Sequence, residues 1–186
     1  MGRRNFLLLI AILSLVLIVV GCAKKEAPVA PAAPAVVVPA PAAVAEPDAI
    51  TTASIVDKAS DFLSAVGPDG TWIIAVVQDL SLDKEIVVDG QFTQNDKPYR
   101  KLAFYAQDAN RKITERYTVT APRMTVRSQN TRIQGGTFRG DVYVEANGFH
   151  LVDGTVDGNV YFLKQEYLDS FTMDEPSSVT GVTELR

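Results

Sequence analysis

An internal repeat with a period of 18 residues is the feature that most restricts the fold of this chain. Residues 136–144 read GTFRGDVYV, and residues 154–162 read GTVDGNVYF. The two segments align without a gap, and the identical pairs are Gly136 with Gly154, Thr137 with Thr155, Gly140 with Gly158, Val142 with Val160, and Tyr143 with Tyr161. A fixed period of this kind is typical of stacked repeat architectures.

Weaker copies flank the two clear ones. One period upstream, Met124 and Val126 fall beneath Val142 and Val144, and a degenerate copy, SVTG, occupies residues 178–181. Degenerate copies at both ends are what the terminal turns of a repeat array look like.

The repeat predicts an all-β fold, a short right-handed parallel β-helix. One coil cannot bury its own inner face, so successive coils would stack at the ~4.8 Å strand spacing and share a continuous core. The alternation directs one set of apolar residues inward: Phe138, Val142, Val144, Val156, Val160 and Phe162. Tyr143 and Tyr161 would then form a stacked ladder on the outside. Gly140 and Gly158 would stack at a corner that excludes a Cβ atom.

An antiparallel β-sandwich or meander is the alternative. Asp157-Gly158, between Val156 and Val160, is also a good hairpin turn signal. The constant register between copies favours the β-helix, because an antiparallel sheet does not require it.

These units resemble the short coils of bactofilins, the polymer-forming cytoskeletal proteins of bacteria, which carry similar Gly-x-Val-x-Gly-Asn/Asp-Val units. The resemblance covers about residues 118–182. It implies a β-helix and a tendency to associate end to end. Members of that family typically lack a signal peptide and work in the cytoplasm, whereas this chain begins with one.

The N-terminus predicts export and lipidation. Arg3 and Arg4 precede an apolar run from Phe6 to Val20, so residues 1–21 read as a signal peptide. The following VVGC resembles a lipobox, and Cys22, the only cysteine, is the expected site of lipidation. The protein would therefore be an extracytoplasmic, membrane-anchored lipoprotein. The sequence does not decide between the inner and the outer membrane.

Residues 22–50 form an Ala/Pro-rich tether that favours extended polyproline II structure. A β-rich domain over residues 51–186 follows, with β-helix-like repeats at about 118–182. An amphipathic helix is expected at about 54–66, since Ile55, Val56 and Phe62 recur at helical spacing. Ser54 and Asp57 would form its capping box.

Composition and residue types argue against several functions. The net charge of −4 is unfavourable for binding nucleic acid. His150 is the only histidine and is expected on the exposed outer face, so neither a metal site nor a cofactor is predicted. Four arginines, Arg123, Arg127, Arg132 and Arg139, accompany Asp141 and Glu145, which we interpret as alternating surface charge.

No residue set amounts to a convincing active site, so the chain is not expected to be an enzyme. The first hypothesis is a lipid-anchored structural or interaction scaffold of the cell envelope that self-associates. The alternative is a module that binds cell wall or another glycan, with Tyr143 and Tyr161 as the binding or association face. The membrane, a second copy and the cell wall are the expected partners.

Overall fold

The structure is a computed structural model that describes residues 46–47 and 54–186. The predicted signal peptide, Cys22 and all of the predicted tether except residues 46–47 lie outside the described residues. The elements are, in chain order, β1 (Glu46–Pro47), β2 (Ser54–Val56), α1 (Ala59–Val66), β3 (Ile73–Val76), β4 (Leu80–Ser81), β5 (Ile86–Val88), β6 (Thr93–Gln94), β7 (Lys97–Pro98), β8 (Arg100–Ala103), β9 (Tyr105–Gln107), β10 (Ile113–Arg116), β11 (Thr118–Val126), β12 (Thr131–Gln134), β13 (Thr137–Val144), β14 (His150–Val152), β15 (Thr155–Asp157), β16 (Val160–Phe162), α2 (Gln165–Asp169), β17 (Thr172–Asp174), β18 (Ser178–Val179) and β19 (Thr183–Leu185).

The chain winds between two parallel sheets and forms a β-helix. The first sheet has the order β17-β14-β12-β8-β3-β2, and the second has the path β18-β15-β13-β11-β4, with β5, β16 and β19 attached alongside. From β12 onward each coil contributes one strand to the first sheet before it enters the second. Among the described strands, antiparallel pairing is confined to β1 with β9, β9 with β10, and β6 with β7. The predicted β-helix is confirmed, and the antiparallel alternative is wrong.

The 18-residue repeat sets the register of the central coils. Thr137 pairs with Thr155 and Tyr143 with Tyr161, as the alignment requires. One coil earlier, Met124 pairs with Val142. Strand β11 has a bulge between Thr120 and Arg123, where the partner offset changes. Pro122 lies inside this irregularity, where its missing N–H breaks no ladder hydrogen bond.

The structure of the last coil explains why its copy of the repeat is weak in the sequence. Helix α2 is inserted before β17, so Val156 pairs with Val179, 23 residues later rather than 18. The strand pattern survives, but the fixed period does not.

Inward-facing residues stack in columns along the axis and form one core. One such column, on the inner face of the first sheet, contains Ile74, Leu102, Ile133, Leu151 and Met173. The first four are fully buried, whereas Met173, in the last coil, is 48% exposed. This column is therefore covered along its length except at its C-terminal end.

Three of the four repeat glycines have no room for a side chain. A Cβ atom would lie 2.3 Å from the Tyr117 carbonyl oxygen at Gly136, 2.0 Å from that of Ala121 at Gly140, and 2.1 Å from that of Gly140 at Gly158. Gly140 also has a φ of +140°, which L side chains rarely adopt. At Gly154 the nearest atom would be 3.4 Å away, an ordinary contact.

Gly140→Ala is expected to lower the free energy of unfolding by about 3 kcal/mol, because backbone strain and a backbone clash combine. Gly154→Ala is the matched control, and it should change stability by less than ~1 kcal/mol. Urea denaturation measures both. Equal losses in the two variants would contradict the corner geometry.

The expected helix at about 54–66 is wrong in its first half. Ser54–Val56 is a strand that pairs in parallel with Ile74–Val76, and α1 spans only Ala59–Val66. The residue before the helix is Lys58, which makes no side-chain cap, so Ser54 and Asp57 form no capping box. Pairing with β3 overrode the helical spacing, since it gives Ser54–Val56 backbone partners and buries Val56.

Helix α1 covers the N-terminal end of the core with Phe62, Ala65 and Val66, all buried. The side chain of Arg100, which is fully buried, binds the C-terminal end of helix α1. The guanidinium donates to the carbonyl oxygens of Ala65 (2.7 Å) and Gly67 (3.2 Å), where a cation is favoured by the helix dipole. Burial lowers the pKa of Arg100 to about 10, and nearby Asp89 partly offsets this, so the side chain stays charged at neutral pH.

Arg100→Met should lower the free energy of unfolding by about 2 to 4 kcal/mol, because it leaves buried carbonyl groups without donors. Arg139→Met, at an exposed ion pair on the second sheet, should leave stability nearly unchanged. The comparison uses thermal and urea unfolding. A stable Arg100→Met variant would show that α1 does not depend on this anchor.

Candidate functional site

Tyr143 and Tyr161 lie next to each other on the outer face of the second sheet. They are register partners in β13 and β16, and their ring centroids are 5.0 Å apart with an interplanar angle of 47°. The sequence predicted neighbouring rings on the outer face, which is confirmed, but the rings are tilted and not stacked.

Two arginines cover the ladder. The Arg123 guanidinium lies 3.9 Å from the Tyr143 ring centroid, and that of Arg186 lies 4.2 Å from the Tyr161 centroid. Arg186 also donates to the Tyr143 hydroxyl at 2.9 Å. Tyr161 is only 9% exposed as a result. The rings are therefore part of a packed cation–π cluster and do not form an open platform.

Arg186 had no sequence signal as a neighbour of the tyrosines. Its place depends on the 23-residue spacing of the last coil, which brings β19 beside β16. The position of Arg123 beside the tyrosines could have been predicted from the repeat. Arg123 lies one period before Asp141, and Asp141 is two residues before Tyr143 on the same strand.

The charged side chains of the second sheet pair between coils. Arg127 lies 3.0 Å from Glu145, and Arg139 lies 2.9 Å from Asp157. The hydrogen bond to Glu145 raises the pKa of Arg127. The hydrogen bonds from Arg139 and Thr180 lower the pKa of Asp157. These contacts agree with an alternating surface charge that ties neighbouring coils together.

His150 and Arg132 lie apart from this face, on the outer side of the first sheet. They are register partners in β14 and β12. His150 lies on the outer face, as expected, but its side chain is only 20% exposed and is therefore partly buried. Its Nε2 atom lies 3.1 Å from Asp174 Oδ1.

The C-terminal coil is the most open part of the β-helix. None of the described strands pairs with the outer edges of β17, β18 or β19. Met173 and Leu185 continue the inward columns but are 48% and 47% exposed, and Val182 beside them is 48% exposed. An uncovered core end and a row of free backbone groups therefore meet on one surface.

Residues 54–186 contain no group of three or more His, Cys, Asp or Glu side chains placed to hold a metal ion. No helix in the described part of the chain is long and apolar enough to cross a membrane. Cys22 lies outside the described residues, so its lipidation stays a prediction.

Comparison with known proteins does not identify a family. No protein-family model matches the chain, and no curated protein or solved structure is significantly similar to it. The mostly parallel sheets agree with a β-helix, and the bactofilin resemblance rests on the repeat units alone.

Tyr161→Ala is expected to lower the free energy of unfolding by about 3 kcal/mol, because it removes a buried ring from the cluster. Tyr161→Phe should cost less than ~0.5 kcal/mol, since the hydroxyl makes no hydrogen bond to the described residues. Urea denaturation of both variants measures the difference. Equal stability of the Ala variant and the wild type would show that the ring is not packed.

Proposed function

We propose that this protein is a non-enzymatic, lipid-anchored scaffold of the cell envelope that associates with a second copy through the C-terminal end of its β-helix. The observation that carries the proposal is the open last coil, with unpaired strand edges and half-exposed core residues. Such an end favours strand addition by another chain.

The N-terminal sequence supports the location. A lipid on Cys22 would hold the chain at a membrane, and acyl chains contribute roughly 0.8 kcal/mol per buried methylene. The Ala/Pro-rich tether, at about 3.1 Å per residue, would let the domain stand up to ~90 Å from the surface when fully extended. A scaffold on such a tether can meet a partner away from the lipid.

The bactofilin resemblance supports association between coil ends. Stacked short coils with glycine corners are common to both, and we extend the likeness to end-to-end contact. The signal peptide and tether set this chain apart from the cytoplasmic members, so we propose the shared assembly mode and not the shared location.

The two ends of this β-helix are unequal. Helix α1 packs against β3 and β5 at the N-terminal end, and of the edge strands there, β2, β4 and β5, only β2 carries a large exposed apolar residue, Ile55. The C-terminal end also has three edge strands, and two of them carry such residues, Met173 in β17 and Leu185 in β19. Contact between two C-terminal ends is isologous and closes after one pair, so we propose a dimer as the main species.

The ion pairs of the second sheet support a role without catalysis. Arg127 with Glu145 and Arg139 with Asp157 join successive coils, which is sufficient reason for these charges. Glycan binding by Tyr143 and Tyr161, the alternative, would require Arg186 to leave both rings.

Sedimentation velocity on residues 41–186, which include every described residue, tests the association. The wild type should shift from monomer to dimer as its concentration rises. Leu185→Glu should sediment as a monomer, because it places a charge on the proposed contact. Ile55→Glu, at the opposite end and similarly exposed, should still dimerise.

A wild type that stays monomeric at every concentration would overturn the proposed association. Loss of the dimer in Ile55→Glu but not in Leu185→Glu would place the contact at the N-terminal end and contradict the proposal. Negative-stain microscopy adds the distinction between closed pairs and filaments.

A further inference from the structure

A groove of about 400 Å³ runs along the outer side of the first sheet, at the corner where β12, β14 and β17 begin. The hairpin β6–β7 overhangs one side and contributes Lys97. Arg132 and His150 form the other side. The volume falls in the range of small-molecule sites.

The register of the coils builds the groove. Arg132, His150 and Thr172 are consecutive outward residues of neighbouring strands. Beside them, Gly148 has a φ of +78°, and a Cβ atom there would lie 2.0 Å from Asn130 Oδ1. Asn130 in turn donates from Nδ2 to the Pro98 carbonyl oxygen at 2.8 Å and holds the hairpin in place.

The groove lining carries positive charge within an acidic chain. The whole protein carries a net charge of −4, yet the groove lining includes Lys97 and Arg132 and no carboxylate. Asp174 is the nearest acidic side chain to His150, 3.1 Å from its Nε2 atom and 58% exposed.

Arg132 is the unusual member of this lining. Within the described residues its guanidinium contacts the Tyr99 ring, 5.4 Å from the centroid, and makes no ion pair or hydrogen bond. Arg116, Arg127 and Arg139 each pair with a carboxylate instead. A cation without a carboxylate partner, in a groove, favours an anionic ligand.

The polar side chains around Arg132 are already engaged. The Asn130 amide donates to the Pro98 carbonyl oxygen, and the Ser170 hydroxyl donates to the Tyr167 carbonyl oxygen and accepts from the Gly148 N–H. Tyr99 packs against Trp72, with ring centroids 5.9 Å apart. Arg132 remains available to a ligand, and we propose that this groove binds the carboxylate or phosphate group of a small anionic ligand, with Arg132 contacting the anion.

One groove residue, Thr172, lies in β17, which is also an edge strand of the proposed dimer contact. Arg132 and Lys97, on which the binding test depends, lie in β12 and β7, away from that contact. The groove is also distinct from the face of Tyr143 and Tyr161, which lie on the second sheet. A failure of one proposal therefore leaves the other testable.

Isothermal titration calorimetry on the full-length chain in detergent micelles tests the proposal. The probes are a galacturonate oligomer, galactose phosphate and a neutral galactose oligomer. Binding of either anionic probe, but not of the neutral one, is expected. The anionic probe with the higher affinity identifies the preferred anion, carboxylate or phosphate. Added salt should weaken the binding of the anionic probe.

Arg132→Gln should weaken binding of the anionic probe by about tenfold or more, the loss expected for one charged hydrogen bond. Arg139→Gln is the matched control on the opposite sheet and should bind like the wild type. Lys97→Gln provides a second test, because an exposed hairpin residue can be replaced without unfolding the core, and it should weaken binding less than Arg132→Gln.

Equal binding of the neutral oligomer would overturn the proposal, as would no binding of either anionic probe. Full affinity in both Arg132→Gln and Lys97→Gln would place the anion elsewhere.

Discussion

Every part of this domain depends on parallel backbone pairing between coils that are in register. A single coil has one apolar face and no means of burying it, so each coil is stable only where another lies above or below it. Backbone hydrogen bonds fix the spacing, and the side-chain columns follow from it. Corner glycines, ion pairs and the tyrosine cluster all occupy positions that the register creates.

The same dependence makes the ends the sensitive positions. At the N-terminal end, helix α1 replaces a further coil, and buried Arg100 fastens it through the carbonyl groups of Ala65 and Gly67. At the C-terminal end the core stops at Met173 and Leu185, both about half exposed. The asymmetry between a covered end and an open end is the basis of the proposed association, and the positively charged groove is a separate product of the same stacking.

The sequence was sufficient where the local pattern and the fold agree. Coils with the constant period were placed to the residue, including Met124 beneath Val142, because nothing is inserted between them. Prediction from the sequence failed where tertiary contacts determine the local structure. Ile55 and Val56 fit a helical face, but pairing with β3 made them a strand. The insertion of α2 broke the period, so the last coil was visible only as the degenerate copy at residues 178–181, and the position of Arg186 had no sequence signal. Arg100 did carry a signal, since it shares the inward phase of β8 with Leu102, but a charged side chain in that phase is recognisable as an anchor only when its carbonyl partners are known.

Hydrogen exchange on residues 41–186, followed at low and at high protein concentration, would measure this self-association strand by strand. We predict strong protection of β12 to β16 at both concentrations, because these strands have neighbours on both sides. We predict weak protection of β17 and β19 in the dilute sample and stronger protection in the concentrated one. Exchange in β17 and β19 that is fast and independent of concentration would contradict the claim that the open end is a site of self-association.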